Sequence, residues 1–310
     1  RYSMTERSSE EIKRVLTIMK PMTIRHTKTQ KLGRNATKDL LSLPPKTVIH
    51  VPVTLLPEEQ RLYDEIHAET KDTWETKYKA KGHAFGAKHA FGIMSLLLPT
   101  RRLCSGGRLT KADLTIREDE AAAAAEANGD AEGVGDNFDP VPKRVKKEQA
   151  ERAAPMVADG DNNVGSIEAE SKLRVLVAEL KRMREDDPTN KALIFTQFTQ
   201  TIDWLQRRLP EEGFGFRTIN GSMSAKNRDK SIQAFQKDPP TTVFILSVRS
   251  GAVGINLTAA SHVFMIEPCL NPALQDQAIG RAWRMGQTRP VMVKILTVQN
   301  SIETNIVKLV

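Results

Sequence analysis

The stretch Thr242-Val-Phe-Ile-Leu-Ser-Val248, which runs into Arg249-Ser-Gly-Ala-Val-Gly-Ile-Asn-Leu-Thr258, decides the fold. Its first half is a continuous apolar run, typical of a strand buried on both faces of a sheet. Its second half holds Gly251 and Gly254, a spacing at which backbone amides can approach a phosphate closely. The same spacing is typical of a tight turn between a strand and a helix, so by itself it leaves both interpretations open.

Similar strands alternate with helices on both sides of this stretch. We predict further strands at 191–196, 216–219, 262–266 and 291–298, and helices at 198–209, at 224–235 and from Asn271 onward. Regular alternation of this kind predicts a parallel sheet with helices on both faces, which is an α/β fold. In such sheets ligands gather beyond the carboxyl ends of the strands.

The preceding residues, 1–105, predict mostly helical elements that lead into this domain. A helix over 8–20 stops at Pro21, and a basic stretch follows it. The run Lys46–Val53 alternates like a strand, and Pro57 opens a helix that could reach Trp74.

Residues 106–166 differ in composition from both neighbours. Acidic residues, an alanine run and glycines replace the apolar periodicity, so we predict a disordered acidic insert between parts 1–105 and 167–310. Inside it lies the basic cluster Pro142-Lys-Arg-Val-Lys-Lys147. This cluster fits a nuclear import signal, a patch that touches phosphates, or a charge-balancing stretch of linker.

The bulk composition excludes several classes of protein. The chain has 310 residues, a net charge of +8 and two cysteines, Cys104 and Cys269. Two cysteines in unrelated apolar contexts provide neither a disulfide framework nor a four-ligand zinc site. No apolar run approaches the length of a membrane span, so we expect no membrane partner. The positive charge favours a polyanionic partner, although it also fits a merely basic, soluble surface.

The helix that we predict from Asn271 carries two arginines, Arg281 and Arg284. Residues three apart share one helical face, here beside Gln277 one turn earlier. Two guanidinium groups on one face could clamp a polyphosphate and stabilise charge on a transferring phosphoryl group. A solvated face with Asp276 as counterion is the alternative.

Several blocks resemble, in the right order, the motifs of Swi/Snf-family DNA-dependent ATPases of helicase superfamily two. The resemblance covers roughly residues 12–104 and 171–304. The matching blocks are the segment 24–28 that joins the two lobes, Leu-Pro-Pro at 43–45, the Leu-Pro-x-Glu-x-x-x-Tyr pattern ending at Tyr63, motif four at 193–198, the block 220–224, motif five at 250–258 and motif six at 277–288.

The resemblance implies a RecA-like second helicase lobe. Arg281 and Arg284 match arginine-finger positions, which complete a site for ATP and Mg²⁺ anchored mainly by the first RecA-like lobe of the same protein. Gly254, Asn256 and Gln277 would line that cleft. The positions that would face double-stranded DNA, through phosphates and without reading sequence, are Gln197, Gly221, Ser222 and Ser250. Arg25 and Lys28 would brace the lobes or touch DNA.

Some positions depart from the family pattern. Trp283 stands where the family usually has histidine, and Cys269-Leu270 where it usually has paired tryptophans. Gly280 replaces an aspartate, and Ala252 replaces a glycine. The segment 96–104 resembles the point where RING-bearing postreplication-repair translocases insert their ubiquitin-ligase domain. No cysteine or histidine occurs between Cys104 and Ser171, so this chain holds no RING.

No Gly-Lys dipeptide occurs, so the phosphate-loop pattern is absent and we expect the chain alone not to hydrolyse ATP. Asp64-Glu65 imitates an acidic magnesium-binding pair, but the residues before it start an amphipathic helix rather than a buried strand. We therefore predict the motor lobe of a nuclear, ATP-dependent DNA translocase acting in chromatin remodelling or DNA repair, with nucleosomes or histones as further partners. A catalytically inactive DNA- or histone-binding module and an RNA helicase are the alternatives.

Overall fold

The computed structural model describes residues 17, 31–32, 38–39, 43–77, 95–115, 166–219, 223–248 and 254–309. The chain divides into two compact units, 1–43 and 44–310. In the first unit, strands β1 (Lys31–Leu32) and β2 (Lys38–Asp39) pair in antiparallel fashion. The predicted helix over 8–20 lies outside the described residues except at Thr17, which is helical.

The second unit is built on a parallel sheet of six strands. In spatial order these are β3 (Lys46–Val53), β10 (Val291–Val298), β9 (His262–Met265), β6 (Ala192–Thr196), β8 (Thr241–Ser247) and β7 (Gly215–Thr218). Every neighbouring pair runs parallel. The predicted α/β class and parallel sheet are confirmed.

Helices cover both faces of this sheet. Their bounds are α1 (Pro57–Lys77), α2 (Leu98–Ser105), α3 (Lys111–Leu114), α4 (Ser171–Asp186), α5 (Thr199–Glu211), α6 (Ala225–Lys237), α7 (Pro272–Ile279) and α8 (Ile302–Leu309). Side chains of a strand alternate between faces. Ile194 of β6 therefore packs with Leu176 of α4 and Trp204 of α5, whereas Phe195 packs with Phe235 of α6.

Strand β3 belongs to the main sheet, although it lies in the segment predicted to be mostly helical. It pairs with β10 from Lys46 opposite Val291 to Val53 opposite Val298. Because β3 is an edge strand, much of it stays accessible, including Val48 and Ile49. Part of the segment that precedes the lobe thus completes the lobe's sheet.

The beginning of the predicted disordered insert is folded, which corrects that prediction for residues 106–115. Strand β4 (Gly107–Leu109) pairs antiparallel with β5 (Ile167–Ala169), and α3 begins with a capping box between Thr110 and Asp113. The local apolar pattern is too short to reveal a pairing across the insert. Residues 116–165, including the basic cluster, lie outside the described residues. The division into three parts stays a prediction.

Side chains of helix α1 form hydrogen bonds with the beginnings of both α4 and α8. The buried carboxylate of Glu59 accepts hydrogen bonds from the backbone nitrogen of Glu170 at 2.7 Å and from Ser171, and so caps α4, which has no capping side chain at Glu170 itself. The hydroxyl oxygen of Tyr63 accepts from Ile302 N at 2.8 Å, and burial raises the pKa of Tyr63 to about 12. Asp64 and Glu65 are exposed on this helix, as predicted.

A buried ion pair joins α4 to α8. Lys172 Nζ lies 2.6 Å from Glu303 Oε1, and both side chains are almost fully inaccessible. Glu303 also accepts from Val298 N at 2.8 Å. The pair therefore fixes the last strand and the last helix against the first helix of the lobe. Within the described ranges, no helix combines the length and apolar character that a bilayer span requires.

Candidate functional site

The two arginines lie in a turn rather than on a helix. Helix α7 begins as predicted, with the side chain of Asn271 accepting from Ala273 N at 2.9 Å, but it ends at Ile279. Arg281 N then bonds Ala278 O at 3.1 Å, a tighter spacing than in an α-helix. The prediction that Arg281 and Arg284 share a helical face is therefore wrong. Residues 280–287 are called the arginine turn below.

The arginine turn nevertheless keeps the two guanidinium groups within electrostatic reach of each other. Both side chains are half-buried. Burial, and next the positive charge of Arg284, lowers the pKa of Arg281 below its usual value. Arg284 Nη1 lies 3.4 Å from the carbonyl oxygen of Ile255. Two like charges held together favour a bound anion, which would relieve their repulsion.

Gln287 holds this turn to the loop before β9. Its buried amide nitrogen donates to the carbonyl oxygens of Thr258 at 3.1 Å, Ala260 at 2.8 Å and Ala282 at 3.1 Å. Its amide oxygen accepts from Thr288 N and Arg289 N, both at 2.9 Å. One side chain therefore contacts five backbone groups around the turn, with its two amide hydrogens shared among three carbonyl oxygens.

Trp283 attaches the arginine turn to the beginning of β3. Its indole nitrogen donates to Pro44 O at 2.8 Å, and Lys46 Nζ lies 4.8 Å from the ring centroid. The distance and the charge fit a cation–π contact. The residue that departs from the family pattern therefore has a defined structural role, which its sequence context did not indicate.

The loop that follows β8 meets the arginine turn directly. Leu257 N donates to Arg281 O at 3.1 Å, and Asn256 O accepts from Gln236 Nε2 at 2.8 Å. Gly254 and Asn256 are exposed beside this contact, and so is Gln277 on α7. The structure thus brings motif five and motif six together. An added Cβ at Gly254 would meet no atom within 4 Å, so the described neighbours leave room there for a ligand or the other lobe.

The arginine turn lies at the amino edge of the sheet. It contacts residues 258–260, which precede β9, and residues 44–46, where β3 begins. The general expectation of ligands at the carboxyl edge stays a prediction, and these two arginines lie near the other edge. The loop that leaves the carboxyl end of β8 returns to the amino edge before β9, where it contacts the arginine turn. The local sequence does not reveal this course of the loop.

Gln197 lies at the carboxyl edge, directly after β6. Arg101 Nη2 donates to its amide oxygen at 3.3 Å, and its own Nε2 lies 3.9 Å from Cys269 Sγ. Burial raises the pKa of Cys269 to about 12, so the thiol is neutral at physiological pH. Arg101 thereby orients the amide so that its NH₂ group, a donor, is directed away from the arginine.

Glu267 supports this edge and was missed in the sequence. It follows β9, is buried, and accepts from Gln197 N, from Thr196 Oγ1 at 3.1 Å and from Ser105 Oγ at 3.1 Å. Burial raises its pKa. A carboxylate placed directly after the apolar run 263–266 was the available signal, because such a group needs internal partners.

The other predicted DNA contacts, Gly221, Ser222, Ser250, Arg25 and Lys28, lie outside the described residues. Among the residues that the structure describes, no group of three metal-ligating side chains comes together. The described part of the site therefore consists of the arginine turn, the loop at 254–260 and the edge around Gln197.

Comparisons with known proteins agree with this architecture. The model of the helicase conserved C-terminal domain matches residues 171–286. The ATP-dependent helicase rhp16 of Schizosaccharomyces pombe is 41% identical over 147 residues, which is 47% of this chain and 17% of that protein. The helicase-like transcription factor of Mus musculus is 28% identical over 96% of this chain and 34% of its own length. The chain thus spans about a third or less of these relatives.

Two solved structures share the fold. The C-terminal part of the Fun30 ATPase domain has a TM-score of 0.56 at 24% identity, covering 86% of this chain and 89% of that one. The Sulfolobus solfataricus SWI2/SNF2 ATPase core, solved in complex with double-stranded DNA, has a TM-score of 0.53 at 23% identity, covering 97% of this chain and 50% of that one.

The sheet order, the paired motifs and these likenesses define a class: the chain carries a RecA-like C-terminal helicase lobe. Within that class, it is similar to relatives named as a helicase-like transcription factor and as the DNA repair protein RAD5, and it shares its fold with a SWI2/SNF2 ATPase core.

Proposed function

We propose that this chain is the C-terminal motor lobe of an ATP-dependent double-stranded-DNA translocase. The observation that carries the proposal is the contact between two separate motifs, in which Leu257 N bonds Arg281 O beside the paired guanidinium groups. Such a turn is suited to act on an anion presented by another surface, because its cations are half-buried and the backbone that carries them is held by Gln287 and Trp283.

The anion in this proposal is the polyphosphate of ATP. Arg281 and Arg284 serve as arginine fingers, and Gly254, Asn256 and Gln277 line the same cleft. ATP and Mg²⁺ are anchored mainly by the first RecA-like lobe of the full-length protein, whose phosphate loop has no counterpart in residues 1–310. The chain alone is then inactive, and closure of the two lobes completes the site.

DNA lies along the opposite edge in this proposal. Gln197 offers an amide NH₂ group to a phosphate oxygen, with Gly221, Ser222, Ser250, Arg25 and Lys28 as further contacts to the backbone. Contacts of this kind position a protein on duplex DNA without reading sequence. The solved relative in complex with double-stranded DNA supports the choice of duplex.

The proposed setting is the nucleus, in chromatin remodelling or DNA repair, with nucleosomes or histones as further partners. Support comes from relatives named as helicase-like transcription factors and as the DNA repair proteins RAD5 and RAD5A. The RAD5 protein of Cryptococcus neoformans is 36% identical over 140 residues.

A second candidate is a lobe that binds DNA or histones without catalysis. It is favoured by the departures at Trp283 and Cys269, which lie in the arginine turn and beside Gln197. Both departures have defined packing roles, and the two arginines are retained, so the translocase remains the better supported function.

The deciding experiment measures ATP hydrolysis by the full-length protein at fixed salt. Four conditions are compared: no nucleic acid, single-stranded DNA, duplex DNA and duplex RNA. Strong stimulation by duplex DNA alone supports the translocase. Stimulation by RNA would indicate an RNA helicase, and no hydrolysis in any condition would leave the binding module.

A further inference from the structure

A groove of about 670 Å³ opens where the beginning of α1 meets β5. It lies away from the arginine turn and from Gln197, and neither site uses the residues that line it. Its apolar lining comes from Leu56, Leu62 and Ile167, and Ile167 is 39% exposed. An accessible isoleucine in a concave site favours contact with another apolar side chain.

The rim of this groove is acidic. Glu58, Glu65 and Glu168 are exposed on it, against one lining base, Arg61. Among the described residues, none of these three carboxylates forms an ion pair within 4 Å. The fourth acidic side chain, Glu59, is buried and committed to capping α4. The groove therefore suits a basic segment that carries an apolar residue between its charges.

The chain itself contains such a segment. In the basic cluster Pro142–Lys147, two pairs of basic residues flank Val145, which gives four positive charges around one apolar side chain. The neighbouring sequence is acidic or neutral, so this is the strongest local concentration of positive charge between 116 and 165.

The connectivity of the chain allows the basic cluster to reach the groove. Leu109 pairs with Ile167, so the stretch between α3 and β5 leaves and returns beside the groove. Residues 148–165 separate the cluster from Ser166, which is next to the groove residue Ile167. Extended chain covers about 3.3 Å per residue, so this linker is long enough for the cluster to reach the groove. A tethered segment also acts at an effective concentration in the millimolar range.

We propose that the basic cluster 142–147 docks in the groove between α1 and β5 of its own chain. Its lysines and arginine face Glu58, Glu65 and Glu168, and Val145 packs near Ile167. While it is docked, the cluster is unable to contact phosphates or an import receptor. The groove thus sets the fraction of time for which the cluster is accessible to other partners.

Zero-length carbodiimide crosslinking of the whole chain tests this placement, with the linked peptides identified by mass spectrometry. We expect links from the lysines of the cluster to Glu58, Glu65 or Glu168. We also expect their yield to fall when the salt concentration rises from 0.1 M to 1 M, because the screening length falls from about 10 Å to about 3 Å. Links only to acidic residues between 116 and 141 would overturn the proposal.

Mixing isotope-labelled and unlabelled chains distinguishes docking within one chain from docking between two copies. Links within one chain support the proposal. Links between labelled and unlabelled chains would assign the groove to a second copy instead. An absence of any link to the three rim glutamates would leave the groove to a separate partner and would also overturn docking by the cluster.

Limited trypsin cleavage after Lys143, Arg144, Lys146 and Lys147 gives a second measurement. The variant Glu58→Gln/Glu65→Gln/Glu168→Gln releases the cluster, so we expect cleavage there to accelerate by about fivefold or more, in line with the loss of several tethered charge contacts. The matched control is Glu185→Gln/Asp186→Asn/Asp229→Asn, which changes three exposed acids on α4 and α6. Equal cleavage rates in the two variants would contradict the proposal.

Discussion

The indole nitrogen of Trp283 donates a hydrogen bond of 2.8 Å to the carbonyl oxygen of Pro44, a residue 239 positions earlier in the chain. Trp283 stands between Arg281 and Arg284, and the ring also lies near Lys46 Nζ. The position of the arginine turn is therefore tied to the first residues of the edge strand β3, rather than to its own helix alone.

Substitutions at Trp283 separate the hydrogen bond from the packing. Trp283→Phe keeps an aromatic ring near Lys46 but removes the donor, so we expect the free energy of unfolding to fall by about 1 kcal/mol. Trp283→Ala also removes the half-buried ring and should cost about 2–3 kcal/mol. Urea unfolding measures both values. Equal losses in the two variants would show that ring packing contributes nothing.

Arg281 is the sharpest test of the proposed catalytic role. In the full-length protein, Arg281→Ala should lower DNA-stimulated ATP hydrolysis by about three orders of magnitude, the usual effect of losing an arginine finger. Arg289→Ala is the matched control, because Arg289 follows the same turn but contacts Asp187 and Thr189. Activity of Arg281→Ala within about threefold of wild type is incompatible with the finger assignment.

Gln287→Glu tests the support of the arginine turn. The new carboxylate would face the carbonyl oxygens of Thr258, Ala260 and Ala282, which all accept from the amide nitrogen now. We expect a loss of about 3–5 kcal/mol in unfolding free energy, because an unpaired charge becomes buried. Gln233→Glu, on the exposed face of α6, should cost less than about 0.5 kcal/mol. Similar losses for both would contradict the role given to Gln287.

His262 makes stability depend on pH. Burial, and then the charge of Lys294, lowers the pKa of His262 from 6.5 to about 4, despite the opposing charges of Asp186 and Glu179. Between these values the unfolded chain binds more protons than the folded chain, so stability rises with pH there. This contribution is fully present above pH 6.5 and is lost as the pH falls toward about 4.

The measurement is urea unfolding at several pH values between about 4 and 7. His262→Gln should flatten the profile, and the difference from wild type should reach a few kcal/mol at most, at about 1.4 kcal/mol for each pKa unit. His50→Gln, at an exposed histidine, is the control. A profile for His262→Gln that keeps the slope of the wild type would exclude His262 as its source.

The buried pair of Lys172 and Glu303 predicts strong coupling. Lys172→Met leaves the Glu303 carboxylate buried without its cation, and we expect a loss of about 3–5 kcal/mol. The double variant Lys172→Met/Glu303→Gln should lose less than the sum of the single losses, which a double-mutant cycle measures. Lys181→Met removes a partly exposed lysine of the same helix and serves as the control. Additive losses would contradict a coupled pair.

The strands that are central to the sheet could be predicted from the sequence, because each is a short apolar run with turn residues at its ends. The two halves of the core follow from alternation along β6 and β8. The position of β3 in the sheet could not be predicted in this way. A parallel edge strand pairs with a strand far along the chain, and the local sequence does not indicate which strand that is.

The candidate site was predictable in composition but not in conformation. The order of the motifs identified Arg281 and Arg284 as candidate site residues, but their spacing predicted that both lie on one continuous helix. The helix ends because the carbonyl of Arg281 and the amide of Gln287 bond to the loop at 257–260 instead. Glu59 and Glu267 were missed for the same reason: their partners come from elements distant in sequence.

The pairing of β3 with β10 also has a consequence for how the protein is made. The first strand of the sheet leaves the ribosome long before its only described sheet neighbour, because all the other strands of this sheet come between them in the sequence. Until then β3 exposes Val48, Ile49 and two unpaired edges, which invite pairing with other chains. Sheet formation in this lobe is therefore completed only after β10 has been synthesised, and its high contact order predicts slow folding that benefits from chaperones.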